Sequence, residues 1–172
     1  MRQLMPVLIL ARHAKAEPDG PTDFERSLNS KGLAQAVEAG AEIAERWSPD
    51  VAIASAARRT VQTGQAVVEA VNRAHGGTLD EPGELTLRED PSLYAGSVDD
   101  WLDAINSIPA DAQCAYIVGH QPTVSEVVGH LNPEGGVPDA FRPSSIAVFD
   151  LESWDVEPGQ YPAPQIRVFH GV

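Results

Sequence analysis

The chain has 172 residues, of which 25 are acidic and 12 are basic, so its formal net charge is −13. An acidic surface of this kind repels phosphate-rich polymers and surfaces, which argues against nucleic acid or an anionic membrane as a partner. The length is typical of one domain, 1–172. The one cysteine, Cys114, excludes an intrachain disulfide; we interpret it as a small core residue in a cytoplasmic protein.

The N-terminal segment is best interpreted as the first strand. Its apolar run, 7–10, is too short to cross a membrane, and no small-residue cleavage site of an export signal follows it. Arg12 and His13 come directly after this run.

Strand-like runs and helical patterns then alternate along the chain, which is the pattern of a layered α/β domain. The expected elements are, in order, a helix at 33–47 capped by Asn29 or Ser30, a strand at 51–54, a helix at 57–73, a short strand at 84–87, a helix at 98–108, a strand at 115–118, a helix beginning near Pro122, and closing strands at 146–151 and 166–169. A loop rich in Pro and Gly is expected at 132–142.

Side chains suited to phosphate chemistry follow three of the predicted strands. Arg12 and His13 follow the first strand, Arg58 or Arg59 follows the second, and His120 follows the strand at 115–118. In open α/β sheets ligands bind outside the carboxyl ends of the strands. The planar guanidinium matches phosphate oxygens, and the imidazole could act as a nucleophile, an acid or a base.

These strand ends carry an ordered set of motifs: R-H at 12–13, S-x-x-x-R-x-x-Q-T at 55–63 and G-H-x-P-T at 119–123. With them the chain resembles the histidine phosphatase superfamily. The segments 11–17 and 26–32 and the pair Leu93-Tyr94 make it most similar to the SixA-type phosphohistidine phosphatases. The resemblance spans about 7–131, and no diagnostic motif follows Leu131.

The resemblance implies a three-layer α/β/α sandwich with a mostly parallel sheet, as in phosphoglycerate mutase, and a phosphatase that needs no metal or cofactor. By the family pattern His13 is the nucleophile that becomes phosphorylated, and Arg12, Arg59 and His120 hold the phosphoryl oxygens. Arg26 matches a phosphate-binding arginine of SixA-type proteins, and the alternative is a surface arginine near Glu25. We expect the neighbouring positive groups to lower the pKa of His13 by repulsion.

The general acid stays open among Glu84, Glu89 and Asp90, which lie in the right part of the chain without a distinctive context. SixA-type proteins dispense with a dedicated acid, and an imidazole can leave as a neutral group where an alkoxide needs a proton. This favours phosphohistidine on a protein as the substrate.

Three other interpretations remain to be compared with this one. The chain could hydrolyse small phosphorylated metabolites, or it could be an inactive phosphate-binding or interaction module of the same fold. A metal site would need His13, His75, His120 and His170 to converge, although their spacing matches no metal template. His130 is expected to be structural or to face the solvent.

Overall fold

The computed structural model describes residues 5–75, 84–135, 141–159 and 161–171. Within these ranges the chain forms one six-stranded sheet, four α-helices and one short 3₁₀ turn. The strands are β1 (Val7–Arg12), β2 (Val51–Ser55), β3 (Leu87–Asp90), β4 (Cys114–Gly119), β5 (Ser145–Asp150) and β6 (Gln165–Val168). The helices are α1 (Ser30–Arg46), α2 (Arg58–Ala74), α3 (Val98–Asn106) and α4 (Thr123–Leu131), and the 3₁₀ turn is Pro91–Leu93.

The sheet has the strand order β3-β2-β4-β1-β5-β6. Strands β1 to β4 are parallel, whereas β5 is antiparallel to β1 and β6 is antiparallel to β5. The four parallel strands therefore end at the same edge of the sheet, where β5 begins and β6 ends. We call this edge the carboxyl edge, and the expected mostly parallel sheet is confirmed.

Helices cover both faces of the sheet. Successive strand residues point to opposite sides, and in β1 the residues on both sides are apolar. Leu8 and Leu10 of β1 belong to the cluster that includes α3 and α4 residues. Ile9 and Ala11 belong to the cluster that includes α1 and α2 residues. The buried runs in β1 and β4 are the sequence counterpart of a parallel sheet covered on both faces, and the three-layer α/β/α prediction is confirmed.

The entry into α1 is fixed by a cap and a close approach. The Asn29 side chain accepts a hydrogen bond from Gly32 N at 2.8 Å, which confirms Asn29 as the N-cap. A Cβ at Gly32 would collide with the carbonyl oxygen of Lys15. Glycine therefore allows the segment after β1 to lie directly against the start of α1.

The strand predicted at 84–87 is wrong by three residues, since β3 is Leu87–Asp90. Asn72 of α2 gives the reason: its side-chain amide bonds to both backbone groups of Leu85, accepting from N at 3.0 Å and donating to O at 2.9 Å. The Asn72 side chain thus satisfies the backbone N–H and C=O of Leu85, which in a strand would pair with a neighbouring strand. Helix α3 ends at Asn106, two residues before the predicted 108. Within the loop predicted at 132–142, residues 136–140 lie outside the described residues.

Cys114 lies buried at the start of β4, as expected of a core residue. Burial raises the pKa of its thiol to about 12, so the thiol stays protonated at neutral pH. In the ranges given above, no helix is long and apolar enough to span a bilayer.

Candidate active site at the carboxyl edge

His13 follows β1 directly and is 8% exposed. Its Nδ1 lies 2.7 Å from the carbonyl oxygen of Ala14. A carbonyl can only accept, so Nδ1 carries the proton and the lone pair of the neutral ring lies on Nε2. The ring therefore has one nitrogen bound to the backbone and one nitrogen able to react.

The loop after His13 is held by the motif that opens α2. Ala14 N donates to Thr63 Oγ1 at 3.1 Å, and Leu28 N donates to Gln62 Oε1 at 2.7 Å. The Q-T pair of the S-x-x-x-R-x-x-Q-T motif thus fixes the backbone that follows the first histidine. Its role here is structural rather than chemical.

His120 follows β4 and stands opposite His13, with 5.5 Å between the ring centroids. Its Nε2 lies 2.8 Å from Ser55 Oγ at the end of β2, while its buried Nδ1 has no hydrogen-bond partner among the described residues. When the hydroxyl donates to Nε2, the proton lies on Nδ1. A buried donor without a protein partner is a group that a ligand can satisfy.

The residue before His120 is a close-contact glycine. A Cβ at Gly119 would collide with the indole ring of Trp101, which is completely buried in α3. Helix α3 therefore packs directly against the end of the strand that carries His120.

Both imidazoles are neutral at neutral pH. Burial, with smaller contributions from the charges of His120, Arg59 and Arg12, lowers the pKa of His13 to about 3. Burial, followed by the charge of Arg59, lowers the pKa of His120 to about 4. The expected direction for His13 is confirmed, but desolvation is the largest cause and charge repulsion is secondary.

Arg12 and Arg59 approach the pair of histidines from two strand ends. Arg12 donates from Nη1 to the carbonyl oxygen of Phe141 at 3.0 Å, and Arg59 donates from Nη1 to the carbonyl oxygen of Asp23 at 2.7 Å. The buried Nε of each arginine has no partner in the described part of the chain. Both guanidinium groups are therefore held in place while keeping a donor unused.

The adjacent arginines differ as the family pattern predicts. Arg59 is 5% exposed and turned inward, whereas Arg58 is exposed to solvent at the start of α2. The spacing of four residues from Ser55 thus selects the buried member of the pair.

Asp23 connects two arginines of the site, Arg59 and Arg26, with Tyr94. Its carboxylate accepts hydrogen bonds from Arg59 Nη2 at 3.1 Å, Arg26 Nε at 3.0 Å and the Tyr94 hydroxyl at 2.8 Å. The hydrogen bond from Tyr94, with those from the two arginines, lowers the pKa of Asp23 to about 2. Asp23 is therefore an anion at neutral pH, and it lies on two of the predicted phosphate-binding arginines.

Asp23 is a site residue that was not predicted from the sequence, and Tyr94 was predicted only as part of a motif. Tyr94 also packs edge-on against His120 and Phe24, with ring centroids 5.7 Å and 5.0 Å apart. Asp23 and Arg26 form an ion pair within one turn of the loop, where the helical i,i+3 rule gives no signal. Nothing local in the sequence indicates the contacts with Arg59 and Tyr94.

None of the three candidate acids hydrogen-bonds to His13 or His120 among the residues described. Glu84 precedes β3 and so lies towards the opposite edge of the sheet. Glu89 pairs in register with Ala54 on an edge strand and is exposed. Asp90 accepts from Ser92 N and Oγ at 3.0 Å and 2.6 Å, which makes it the cap of the 3₁₀ turn.

The remaining histidines lie apart from the pair. His75 Nε2 bonds to Ser48 Oγ at 2.6 Å, His130 is in the last turn of α4, and His170 follows β6. Of the residues that the structure describes, no three His, Cys, Asp or Glu side chains form a metal-binding group.

Comparison with known proteins identifies the family of the chain. Residues 8–93 match the family described as histidine phosphatase superfamily (branch 1). The chain therefore belongs to the histidine phosphatase superfamily, a class of histidine-dependent phosphatases. It is 32% identical over 160 residues to the uncharacterized protein Rv1276c of Mycobacterium tuberculosis (strain H37Rv), covering 86% of this chain and 92% of that protein.

Solved structures narrow the similarity within the superfamily. A structure from Nakamurella, assigned as phosphohistidine phosphatase SixA, superposes with a TM-score of 0.74 at 25% identity and covers 95% of this chain and 96% of that chain. A structure from Agrobacterium tumefaciens with the same assignment gives 0.74 at 27% identity, covering 94% and 97%. Phosphoglycerate mutase from Bacillus anthracis shares the fold, with a TM-score of 0.62 at 12% identity over 93% and 92% of the chains.

Proposed function

We propose that this protein hydrolyses phosphohistidine on a protein, through a phosphohistidine intermediate on His13. The observation that carries the proposal is the state of His13: a buried, neutral ring whose Nδ1–H is bound to Ala14 O. Nε2 therefore holds an available lone pair next to Arg12, Arg59 and His120, the arrangement that covalent phosphoryl transfer requires.

The reaction has two displacements at phosphorus. In the first, His13 Nε2 forms a bond to phosphorus while the bond to the substrate's imidazole nitrogen breaks. The departing ring leaves neutral when its other nitrogen carries the proton. In the second, water attacks the phosphoenzyme, releases orthophosphate and returns the electron pair to Nε2.

The donors of the site would hold the phosphoryl oxygens through both steps. Arg12 Nε and Arg59 Nε are buried donors without protein partners in the described part of the chain. His120 Nδ1 is a third such donor in the tautomer in which the Ser55 hydroxyl donates to Nε2. Their fixed positions suit the dispersed negative charge of the transition state, since preorganised donors need no rearrangement during the reaction.

Asp23 gives way when the phosphoryl group binds. Its carboxylate presents the same acceptor chemistry as a phosphoryl oxygen and occupies donors of Arg59 and Arg26. Because the Asp23 side chain is 54% exposed, the loop that carries it can release it to water. Arg26 would reach the phosphoryl oxygens only after this exchange.

The leaving group distinguishes phosphohistidine from phosphate esters. No candidate carboxylic acid hydrogen-bonds to either histidine among the described residues, and the pKa of Asp23 is about 2, so that residue is ionised. An alkoxide leaving group needs a proton donor, whereas a neutral imidazole does not. This supports a phosphorylated protein, rather than a small phosphorylated metabolite, as the substrate.

Steady-state kinetics on three substrates tests the proposal: a peptide phosphorylated on histidine with phosphoramidate, para-nitrophenyl phosphate and an alkyl phosphate. We expect kcat to fall in that order, because the substrates share the phosphoryl contacts and differ in the leaving group. Fastest turnover of the alkyl phosphate would reassign the protein to metabolite hydrolysis. No turnover of any substrate would identify an inactive phosphate-binding module.

The acidic surface and the single buried thiol fit a cytoplasmic phosphoprotein as the partner. Nucleic acid and anionic membrane would be repelled by the same surface.

A further inference from the structure

A second cationic region lies beside the histidine pair and has no part in the chemistry described above. It is a recess of about 210 Å³. Gln35 and Phe169 line part of it. The lining also includes four basic side chains: Lys15, Lys31, Arg142 and His170. The sequence contains only two lysines, and both of them line this recess. No Asp or Glu among the described residues lines it.

The recess and the phosphoryl site share the carboxyl edge of the sheet. Strand β1 lies between β4 and β5. On the β4 side stand His120 and Ser55, whereas on the β5 side Arg142 precedes β5 and His170 follows β6. Ser144 joins the two regions, because its N donates to His13 O at 3.0 Å and its O accepts from Phe169 N at 3.1 Å.

The backbone that carries the two lysines is fixed. Lys15 N donates to Gln35 Oε1 at 2.9 Å, and Lys15 O accepts from Asn29 N at 3.0 Å. Lys31 lies in the first turn of α1, which contains no acidic residue. A cation at this end of a helix opposes the helix dipole, so its position there has a cost to the fold and calls for another reason.

The charges of the recess are not neutralised within the described part of the chain. The ion pairs found among the described residues involve five arginines, none of which lines the recess: Arg26, Arg46, Arg59, Arg88 and Arg167. Lys15, Lys31 and Arg142 are exposed and take part in none of them. The neighbouring carboxylate of Glu38 accepts from Gly171 N at 2.8 Å. In a chain of net charge −13, three cations without an ion pair among the described residues are therefore gathered at one recess.

We propose that this recess binds the carboxylate of an acidic side chain that flanks the phosphohistidine of the protein substrate. This inference rests on the proposed function, since it names a second feature of that substrate. The phosphoryl group and the side-chain carboxylate would bind on the two sides of β1 at the same edge of the sheet. The recess would therefore select among phosphohistidine proteins by the charge next to the phosphorylated residue.

The strand spacing sets the expected separation in the substrate. Neighbouring strands are about 4.8 Å apart, so β6 lies about 10 Å from β1. An extended peptide advances about 3.3 Å per residue. The acidic side chain should therefore stand about two to four residues from the phosphohistidine.

A set of phosphohistidine peptides tests this. Each peptide carries one Glu at two, three or four residues on either side of the phosphohistidine, and its partner has Gln at the same position. We expect the best Glu peptide to have a KM about threefold to fivefold lower than its Gln partner, with kcat unchanged. The difference should disappear in about 0.5 M salt, where exposed charges are screened.

The double variant Lys31→Gln and Arg142→Gln should bring the Glu-to-Gln ratio of KM close to one. Lys15→Gln should reduce it on its own. Arg46→Gln is the matched control, because it removes one positive charge at the opposite end of α1 and should leave the ratio unchanged.

Three results would overturn the inference. They are equal KM values for every Glu and Gln pair with the unmodified protein, a preference that survives in the double variant, and a preference lost equally in Arg46→Gln. Failure of the proposed function has a different signature: neither peptide of a pair is hydrolysed, while para-nitrophenyl phosphate is.

Discussion

Two cation-rich regions share the carboxyl edge of the sheet and treat their charges differently. At the proposed phosphoryl site the guanidinium groups of Arg12 and Arg59 are each hydrogen-bonded to a backbone carbonyl oxygen. In the recess Lys15 and Lys31 are exposed and have no ion pair within the described residues. One region fixes its guanidinium groups with acceptors, and the other leaves flexible ammonium groups in water.

The difference fits the roles that we propose for the two regions. Stabilising a transition state requires donors whose positions do not change during the reaction. Attracting a charged segment requires only a favourable field, which solvated side chains supply at little structural cost. Arginine suits the first task because its fork is planar and rigid, and lysine suits the second because it is a mobile point charge.

The largest effect should come from His13→Ala, which removes the proposed nucleophile. We expect kcat to fall by roughly 10⁴-fold or more, as losses of a catalytic nucleophile do. Rapid quench with labelled substrate should trap an acid-labile, base-stable phosphoenzyme in the unmodified protein and none in the variant. His130→Gln, in α4, is the matched control and should retain activity. Full activity of His13→Ala would contradict the mechanism.

Arg59→Ala should cost about a hundredfold in kcat/KM, or about 3 kcal/mol, because a charge-assisted contact in the transition state is lost. Arg58→Ala removes the same side chain from the adjacent exposed position and should cost less than about threefold. Steady-state kinetics of both variants compares a buried, hydrogen-bonded arginine with an exposed one. The reverse ranking would mean that the phosphate-binding position has been assigned to the wrong residue.

The buried imidazoles predict a loss of stability in mild acid. The ordinary histidine pKa of 6.5 falls to about 3 for His13 and about 4 for His120 in the folded state. Below pH 6.5 the unfolded chain binds the extra protons, so the free energy of unfolding decreases as the pH falls. Each histidine contributes up to about 1.4 kcal/mol per pH unit.

Urea unfolding measured between pH 7 and pH 5 checks this slope. Asp23 does not contribute to the slope in this pH interval, because its carboxylate takes up a proton only at lower pH; its pKa is about 2 in the folded state. His13→Gln should remove the share of one histidine, whatever its effect on stability at pH 7. The same slope in His13→Gln as in the unmodified protein would show that His13 does not stay neutral on folding.

The smallest effect concerns Asp23, the anion that lies on Arg59 and Arg26. Asp23→Asn keeps the shape and one acceptor oxygen but removes the charge with which phosphate competes. We expect inhibition by orthophosphate to tighten by about threefold to tenfold, with kcat changed by less than about threefold. Weaker phosphate inhibition together with a large loss of kcat would instead assign Asp23 to positioning the arginines.

The fold was predictable because its signals are local. The continuous apolar runs of β1 and β4 indicate strands buried on both faces, and Asn29 marks the start of α1. The boundary of β3 was not predictable, because it depends on Asn72, a side chain of α2 that competes for the backbone of Leu85. That contact exists only after α2 has packed.

The candidate site divides along the same line. His13, Arg59 and His120 could be located from the sequence because each follows a strand and stands in a motif. Asp23 could not, since its contact with Tyr94 joins residues 71 positions apart in the chain. The recess was not predictable for the same reason. Lys15 and Arg142 approach each other only because β5 pairs with β1 as an antiparallel strand.

The missing side chain at Gly119 lets α3 touch the end of β4. The indole of Trp101 fills the space that a Cβ would need, so α3 bears directly on the residue preceding His120. A larger side chain at position 119 would therefore force α3 and the end of β4 apart, and the next residue along the chain is His120.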